Sequence, residues 1–366
     1  MALTKHRQDW NTFFKTVSGK KLILWGAGYR AAQFINHNRK LDVAYICDND
    51  PAKAGKFLMN IPIVNLSRLT NENPDDFVIL ATHGQIQDVL QSDAVSTKKH
   101  NLFILDALNS EGEYTTYFFD HYNELLATVD MLNDDLSKRT LLKIAEYKQS
   151  GINDWSAIYT PYEYYLLEMY EHYICHDEVI IDGGGYIGDT IQKFIEFFGS
   201  TLKRAYSFEP APACMKQLTD VVASNPQYDL IVKPYGLSDK NETVEFVFQK
   251  NAWAGSHLKD RRILDNESKY DNESMFIEVR ALDHIIPENE KITFIKMDVE
   301  GAEFKSILGA KGLIQKWKPR LAIAIYHSAH DYIQIPKLIR GIVPEYKLFI
   351  RHHTTNGADT VLYAFI

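Results

Sequence analysis

A glycine-rich stretch in the second half of the chain, VIIDGGGYIGDT at residues 179–190, has the residue types and spacing of a ligand-binding loop. Gly183, Gly185 and Gly188 form a G-x-G-x-x-G pattern directly after an apolar run. A strand that leads through such a loop into a helix presents backbone N–H groups to a polar or anionic ligand. Asp182, immediately before the first glycine, would repel a pyrophosphate in a partly buried cleft. It would instead suit a positively charged group such as an ammonium or a sulfonium.

A second carboxylate follows at the end of the next apolar run. Glu209, in AYSFEPAPACM, stands where an acidic residue can accept hydrogen bonds from both ribose hydroxyls of a nucleoside. Together, Asp182 and Glu209 predict a ribonucleoside without phosphates that carries a positive charge and an amino-acid moiety. S-adenosyl-L-methionine fits that description, so the residues predict this cofactor.

An earlier glycine loop lies in KLILWGAGYRAAQF, with Gly26, Gly28 and Ala31 in the same frame. Asp48, in AYICDND, takes the ribose-acid position and completes a formal dinucleotide fingerprint. The segment AYICDNDPAKAGKFLMNIPIV also resembles the small Rossmann-like domains attached to sugar-modifying transferases. Only about four strands fit here, which supplies a single mononucleotide-binding half. The favoured interpretation is a structural or docking module, and the alternative is an NAD(P)-dependent oxidoreductase that uses this loop.

The motifs VIIDGGGYIGDTIQKF and TFIKMDVEGAEFKSILGA, with others set out below, resemble those of the FkbM-type class I methyltransferases, and that resemblance implies methyl transfer to a hydroxyl. The residues for this reaction are sought at the ends of the later strands. Transfer from a sulfonium to an alcohol is an in-line displacement, in which the enzyme aligns both reactants and a base or a metal assists removal of the hydroxyl proton. His327 ends the apolar run LAIAIY, at the sheet edge where open α/β folds bind ligands. We therefore predict His327 as general base, with Asp298 and Glu300 of KMDVEGAEF as further catalytic residues. A divalent cation on Asp298, Glu300 and a histidine would match no strict ligand motif, so no metal-binding residue is predicted.

Other polar residues near these strand ends receive structural interpretations. Glu303 is expected to cap or begin a helix, because carboxylates favour helix N-termini. His330 and His353 are expected to be solvated loop residues. His352 remains a further candidate for the base.

An ordered set of motifs over about residues 176–366 resembles the FkbM-type class I methyltransferases: VIIDGGGYIGDTIQKF, AYSFEPAPACMKQL, VKPYGLSDK, TFIKMDVEGAEFKSILGA and LAIAIYH. The resemblance implies binding of S-adenosyl-L-methionine and methyl transfer, usually to a hydroxyl of a sugar, glycan or other polar metabolite. It places the glycine loop at the methionine end, the PYGLSD turn at the adenine and Asp298 at the reaction centre. The implied cofactor-binding residues are Asp182, Gly183, Gly184, Gly185, Gly188, Asp189, Glu209, Pro210, Gly236, Leu237 and Asp298. A non-catalytic S-adenosyl-L-methionine-binding scaffold module is a further alternative.

Three segments must position these residues. Residues 1–110 alternate short apolar runs with helical stretches and predict a small Rossmann-like α/β domain. Residues 111–176, including the tyrosine-rich YTPYEYYLLEMYEHY, predict a helical connector. Residues 177–366 predict the doubly wound sheet of a class I methyltransferase. Its last strand is expected to be antiparallel, because RHHTTNGADT leaves no room for a crossover helix. The polar residues 250–274 are expected to form an excursion or lid.

Composition narrows the classes of partner. The chain has 366 residues, of which 45% are hydrophobic and 24% are charged, and this is enough material for two ordinary globular cores. Its net charge of −8 argues against nucleic acid or an anionic membrane as a binding partner. Three scattered cysteines without a C-x-x-C pair exclude a thiolate zinc site and suit a reducing compartment. The N-terminal residues lack a signal-peptide pattern and no apolar run is long enough to span a membrane, so we expect a cytoplasmic protein. The expected partner is a small-molecule or glycan acceptor, with a homo-oligomer left open.

Overall fold

The computed structural model describes residues 10–82, 101–105, 112–150, 155–161, 165, 174–249, 252–258, 272–355 and 357–366. The chain divides into two compact units. The first comprises Met1–Leu125 and Leu141–Ala157, and the second comprises Leu126–Thr140 and Ile158–Ile366. The segment predicted as a helical connector, 111–176, is therefore shared between the two units. Among the described residues, no helix is both long and apolar enough to cross a membrane.

The first unit is built on a six-stranded sheet. Its elements are α1 (Trp10–Val17), β1 (Lys21–Trp25), α2 (Tyr29–His37), β2 (Val43–Asp48), β3 (Phe57–Leu58), β4 (Ile61–Asn65), β5 (Phe77–Ala81) and β6 (Asn101–Ile104). The strand order is β3-β4-β2-β1-β5-β6, and all described pairs are parallel except the β3–β4 hairpin. The predicted number of about four strands was too low. The hairpin was not predicted because β3 is only two residues long and β4 contains Pro62. The turn between the two strands has positive φ angles at Met59 and Asn60.

Helices occupy much of the segment predicted to be helical. They are α3 (Gly112–Asp120), α4 (Tyr122–Met131) and α5 (Asp135–Ser150), followed by a 3₁₀ turn at Trp155–Ile158. Of the tyrosine-rich stretch 159–173, residues 162–164 and 166–173 lie outside the described residues. Tyr165 is described, and its side chain is buried.

The second unit contains a seven-stranded sheet and a smaller one. Its elements are β7 (Glu178–Gly183), α6 (Asp189–Phe198), β8 (Leu202–Phe208), α7 (Pro212–Ala223), β9 (Leu230–Lys233), β10 (Gly236–Leu237), β11 (Glu242–Gln249), β12 (Ala252–Leu258), β13 (Asn272–Arg280), α8 (Leu282–Ile285), β14 (Phe294–Met297), α9 (Glu303–Leu308), α10 (Lys311–Trp317), β15 (Arg320–Ala324), α11 (Asp331–Ile342), β16 (Lys347–His352) and β17 (Thr360–Phe365). The large sheet has the order β16-β17-β15-β14-β7-β8-β9. All its pairs are parallel except those of β17, which runs antiparallel to both β15 and β16. The expected doubly wound sheet with an antiparallel last strand is thus confirmed.

The small sheet, in the order β10-β13-β11-β12, corrects the expectation for residues 250–274. Residues 252–258 form β12, which pairs antiparallel with β11, and β13 begins at Asn272. Residues 259–271 lie outside the described part of the chain. Apolar side chains from β11 and β13 (Phe246, Ile277 and Val279) pack against Ala211 and Cys214 at the start of α7. Residues 252–258 and 272–274 are therefore strand residues, whereas for residues 259–271 the predicted excursion or lid stays a prediction.

Apolar packing fixes the helix that follows the glycine loop of the second unit. One face of α6 buries Ile191, Phe194, Ile195 and Phe198 against the large sheet. The rings of Phe194 and Phe294 meet edge-to-face with centroids 5.4 Å apart, which favours a single orientation of the helix. The N-terminus of α6 is thereby held at the carboxyl ends of β7 and β14, where the predicted site residues lie.

Candidate active site

A cavity of about 410 Å³ opens at the carboxyl ends of β7, β8 and β14. Its volume lies within the range of about 300–1,000 Å³ that is usual for small-molecule sites. The predicted site residues that line it are Gly184, Asp189, Glu209, Pro210, Gly236, Leu237, Asp298 and Glu300. Gly183, Gly185, Gly188, Asp182 and His327 are not among the lining residues. The structure thus separates residues that face the cavity from residues that stand behind its wall.

The glycine loop is shaped by close packing. Gly184 and Gly185 both donate backbone hydrogen bonds to the carbonyl oxygen of Phe208, each at 3.0 Å. Gly184 has a φ of +79°, and a Cβ there would collide with the backbone carbonyl of Asp298. A Cβ on Gly185 would collide with the hydroxyl of Ser207. These glycines allow the loop to lie directly on β8 and on the turn after β14, and Gly184, which the G-x-G-x-x-G pattern does not count, is the one that faces the cavity.

Gly188 and Gly183 serve the same packing from the two ends of the loop. Gly188 has a φ of +91° and is the N-cap of α6, close to the side chain of Val221 on α7. Gly183 ends β7 against the side chain of Leu237. Gly188 needs glycine for its positive φ and Gly183 for the space that the side chain of Leu237 takes, so a role in shaping the loop accounts for both whether or not they contact a ligand.

Asp182 is buried beneath the loop and has a cationic partner. Its Oδ1 lies 3.0 Å from Nζ of Lys296, and its Oδ2 accepts a hydrogen bond of 2.8 Å from the hydroxyl of Ser207. Lys296 also donates to the carbonyl oxygen of Gly184 at 2.6 Å. Burial lowers the pKa of Lys296, but the nearby carboxylates of Asp182 and Asp298 raise it by more. The net pKa lies above the usual value for lysine, so the ammonium stays charged. The charge of Asp182 is therefore compensated inside the protein, and the inference of a cationic ligand from Asp182 alone loses its basis.

Lys296 was missed by sequence reasoning, although it lines the cavity. A signal was present, because Lys296 is a charged residue inside the strand FIKM, whose four residues are all buried. A lysine in such a strand requires a buried anionic partner. What the sequence does not state is which of many carboxylates that partner is.

Glu209 is a buried acceptor that faces the cavity. It is 7% exposed, and each of its oxygens accepts one backbone hydrogen bond, Oε2 from Tyr186 N at 2.9 Å and Oε1 from Ala211 N at 2.8 Å. Burial raises the pKa of Glu209 to about 7. Since a carboxylate oxygen can accept more than one hydrogen bond, both oxygens keep capacity for a ligand with two neighbouring hydroxyls.

The turn after β14 and the end of β15 bring an acidic cluster around one imidazole. His327 Nδ1 lies 3.0 Å from Oε1 of Glu303, and His327 Nε2 lies 3.3 Å from Oε2 of Glu300 and 3.5 Å from Oδ1 of Asp298. Asp298 also accepts hydrogen bonds from the hydroxyls of Tyr165 at 2.6 Å and Tyr326 at 3.4 Å. The three predicted catalytic residues, His327, Asp298 and Glu300, are thus brought together.

The surroundings of His327 argue against its predicted role as general base. Burial lowers the pKa of His327, but the carboxylates of Glu303, Glu300 and Asp298 together raise it well above the usual value. While both ring nitrogens carry protons, the imidazole has no lone pair with which to accept another. In this arrangement the carboxylates that line the cavity, Asp298 and Glu300, are better placed than His327 to receive the proton of an alcohol.

Glu303 begins α9, as expected, and its Oε1 accepts a hydrogen bond from Val299 N at 2.8 Å. The side chain is fully buried, so Glu303 serves the cluster as well as the helix.

The remaining histidines lie outside this cluster. His330 is half-exposed at the start of α11 and packs its ring against Phe304. His352 is buried, with Nδ1 within 2.9 Å of Thr360 Oγ1. His353 is also buried, with Nε2 within 2.7 Å of the hydroxyl of Tyr363, so the expectation of a solvated loop histidine was wrong. The backbone of His353 continues the pairing of β16 with β17, because its N–H donates to the carbonyl oxygen of Asp359 at 3.0 Å.

The glycine loop of the first unit uses its carboxylate internally. Asp48 Oδ2 accepts hydrogen bonds from Ala27 N at 2.7 Å and from Lys53 Nζ at 2.9 Å, and Oδ1 accepts one from Asp50 N at 2.9 Å. The side chain is only 9% exposed. The residue in the ribose-acid position thus stabilises its own loop, which favours the structural interpretation over a dinucleotide site.

Two family models match the chain. Residues 182–353 match the methyltransferase FkbM domain, and residues 2–107 match the C-methyltransferase C-terminal domain. A comparison with curated proteins gave no match.

Solved structures of methyltransferases share the fold. A methyltransferase FkbM from Methylobacillus flagellatus KT has a TM-score of 0.59 and 21% identity, over 96% of this chain and 92% of that chain, which shows a common fold. Fibrillarin from Aeropyrum pernix, solved with natively bound S-adenosyl-L-methionine, has a TM-score of 0.32 and 13% identity, over 52% of this chain and 66% of that chain. An rRNA methylase from Streptococcus thermophilus has a TM-score of 0.33 and 12% identity, over 52% and 87%. The last two likenesses are too low to bear on function. Residues 182–353, which match the methyltransferase FkbM domain, hold the glycine loop and the acidic cluster, and the chain shares its fold with a methyltransferase FkbM.

Proposed function

We propose that this protein is an S-adenosyl-L-methionine-dependent methyltransferase that acts on a hydroxyl of a sugar, glycan or related polar metabolite. The observation that carries the proposal is Glu209, a buried carboxylate that faces the cavity with one internal hydrogen bond on each oxygen. A ribose with two neighbouring hydroxyls is the ligand that matches two such oxygens.

The two ends of the cavity differ in chemistry in the way that such a donor requires. Leu237, Phe246, Ile277 and Val279 give one part an apolar wall that suits adenine. Asp298 and Glu300 make another part acidic, which suits a sulfonium and an amino group. Glu209 would hold the ribose, Gly184 of the glycine loop would border the methionine part, and Asp298 would face the reaction centre. The bound donor supplies the methyl group.

The chain's own groups then act on the acceptor. Asp298 and Glu300 can accept the hydrogen bond of an alcohol and orient its oxygen, and a carboxylate at that position can take the proton as the oxygen is methylated. The tyrosine hydroxyls that donate to Asp298 hold its carboxylate in one orientation. Because several carboxylates meet here, a neutral, hydroxyl-bearing acceptor is favoured over one with a phosphate at the reacting position.

A thermal-shift titration tests the donor and separates it from the nucleotide alternative. A ligand at a hundred times its dissociation constant stabilises the folded state by about 2.7 kcal/mol. We expect S-adenosyl-L-methionine and its demethylated product to raise the melting temperature, and NAD or NADP to leave it unchanged. A shift with NAD(P) alone would contradict the proposal and support the oxidoreductase.

Turnover is tested by incubating the protein with labelled donor and fractionated extract, followed by identification of the labelled product. A labelled hydroxyl compound supports an O-methyltransferase. Donor binding without any labelled product would favour a non-catalytic module instead.

A further inference from the structure

We propose that Asp298, Glu303 and His327 form a binding site for one divalent metal ion at the acidic end of the cavity. The three side chains come from the turn after β14, from the first residue of α9 and from the end of β15. One ligand atom from each lies within 4.8 Å of the others. Two carboxylates and one imidazole are a donor set suited to Mn²⁺ or Zn²⁺, and the imidazole makes Ca²⁺ and Mg²⁺ poorer matches.

A second observation points to a missing partner at this cluster. Glu303 is fully buried, and within the described residues its Oε2 has no hydrogen bond, while Oε1 accepts one from Val299 N. His327 is 6% exposed, and neither ring nitrogen makes a hydrogen bond of acceptable geometry with the described part of the chain, despite the short distances to carboxylates. Buried polar atoms in native proteins nearly always have a partner. A metal ion would supply one to both residues at once, and because an imidazole binds a metal in its neutral form, His327 would release a proton when the ion binds.

The balance of charge supports a cation. Three carboxylates, those of Asp298, Glu300 and Glu303, surround the single imidazole of His327. Lys296, the buried ammonium nearby, lies 3.0 Å from Asp182 and donates to the carbonyl oxygen of Gly184. The hydroxyls of Tyr165 and Tyr326 donate to Asp298 but carry no charge. The cluster therefore holds an excess of negative charge that a divalent ion compensates.

The position of the cluster indicates a role, which rests on the proposed function. Asp298 lines the cavity, whereas Glu303 and His327 lie behind it. An ion held by all three keeps coordination positions open on the cavity side, where an acceptor hydroxyl can bind and become more acidic. The hydroxyl proton then passes to the carboxylate of Glu300. The oxygen forms a bond to the methyl carbon as the carbon–sulfur bond breaks, and that electron pair remains on sulfur as a neutral thioether.

The site is tested on the full chain after EDTA treatment and dialysis, without donor or acceptor. MnCl₂ and ZnCl₂ are titrated by calorimetry, with loss of the free Mn²⁺ electron paramagnetic resonance signal as a second measure and MgCl₂ for comparison. We expect one saturable site for Mn²⁺ or Zn²⁺. No saturable binding of either ion to the wild-type protein would overturn the proposal, and this result does not depend on any variant.

Two substitutions and a matched control assign the ligands. His327→Gln and Glu303→Gln are expected to weaken binding by at least roughly 10–100-fold. His330→Gln, which changes the half-exposed histidine outside the cluster, should leave it unchanged. Circular dichroism in EDTA reports whether each variant folds. Should the buried variants misfold, Asp298→Asn, whose side chain is partly exposed, takes their place. Equal affinity in wild type and folded ligand variants would place the ion elsewhere and contradict the assignment.

Donor binding is measured separately in EDTA, so that the two proposals fail in different ways. Binding of S-adenosyl-L-methionine without any metal binding leaves the proposed function standing and removes the metal site. Metal binding without donor binding leaves the site and removes its proposed role.

Discussion

Lys296 stands directly opposite Asp182 in the pairing of β14 with β7, and its Nζ lies 3.0 Å from Asp182 Oδ1. Both side chains are buried. The same ammonium donates to the carbonyl oxygen of Gly184, so this ion pair ties the two central strands to the glycine loop that faces the cavity. A buried ion pair contributes little net stability compared with an apolar pair, but removing one partner leaves an uncompensated charge.

Replacing the lysine should therefore destabilise the protein strongly. We expect Lys296→Met to lower the free energy of unfolding by about 3–5 kcal/mol, because Asp182 is left charged and buried without its partner. Urea denaturation followed by tryptophan fluorescence measures the change. Lys318→Met is the matched control. It removes an ammonium that pairs with Glu345 at 2.7 Å on the surface, and it should change stability little. Similar effects of the two substitutions would contradict a structural role for the buried pair.

A methyl group on Gly184 should disrupt the loop. The residue has a φ of +79° and its Cβ would meet the backbone carbonyl of Asp298, so Gly184→Ala must move either the loop or the turn after β14. We expect a lower melting temperature and weaker donor binding. Gly199→Ala is the control, since Gly199 also has a positive φ but no atom lies within 4 Å of the added group. Equal donor affinity in Gly184→Ala and Gly199→Ala would show that the close approach is unimportant.

Much of the large sheet could be predicted from sequence because its central strands are continuous apolar runs. All residues of β7, β14, β15 and β17 are buried, as strands covered on both faces must be. The polar residues at their carboxyl ends follow from the same pattern, and Glu209, Asp298 and Glu300 were found in this way. The positions of these strands and the polar residues at their carboxyl ends can thus be read from local sequence.

Pairwise contacts across the sheet could not be predicted in the same way. Lys296 meets Asp182 only because the register of β14 against β7 aligns them, and nothing local to either residue specifies that register. Glu303 was expected to cap or begin its helix, and it does begin α9, but α9 also starts close enough to the end of β15 for this carboxylate to reach His327. His327 was given the role of base from its position, and only the number of carboxylates around it argues otherwise. The charge of a site depends on all its neighbours, which a single position does not reveal.

Asp48 should matter for the stability of the first unit rather than for nucleotide binding. Asp48→Ala leaves the N–H groups of Ala27 and Asp50 and the ammonium of Lys53 without their acceptor. We expect a loss of about 1–3 kcal/mol in the free energy of unfolding and no change in the response to NAD(P). Denaturant unfolding and a nucleotide titration of the full chain measure both. Saturable NAD(P) binding that disappears in Asp48→Ala would restore the dinucleotide interpretation.

Glu300 should affect turnover without affecting donor affinity. It lines the cavity and lies 3.3 Å from the imidazole of His327, so Glu300→Gln removes a proton acceptor while keeping the shape of the site. We expect turnover on the identified acceptor to fall by roughly 10²–10⁴-fold with an unchanged dissociation constant for the donor. Glu290→Gln is the control, because Glu290 does not line the cavity and its carboxylate pairs with Arg204 at a distance of 2.6 Å. Full activity in Glu300→Gln would exclude Glu300 as the proton acceptor.

The affinity for the donor should depend on pH through Glu209. Burial raises the pKa of this carboxyl to about 7, and the ribose hydroxyls are expected to donate to its ionised form. Binding should therefore strengthen as the pH rises through 7 and level off above it. At pH 6 about a tenth of the protein has the ionised form, and the apparent affinity should be roughly tenfold lower than at pH 8.

The same shift has the opposite sign for the stability of the ligand-free protein. A carboxyl whose pKa is higher in the folded state binds its proton more tightly there than in the unfolded chain. Its contribution to stability is therefore present at low pH and is lost as the pH rises through about 7.

Calorimetric titrations between pH 5.5 and 8.5, in buffers with different ionisation enthalpies, should detect proton release on donor binding near pH 6.5. In Glu209→Ala both the pH dependence and most of the affinity should disappear, since two charge-assisted hydrogen bonds of about 1.5–3 kcal/mol each are removed. Wild-type affinity in that variant, or a flat pH profile in the wild-type protein, would rule out Glu209 as the ribose ligand.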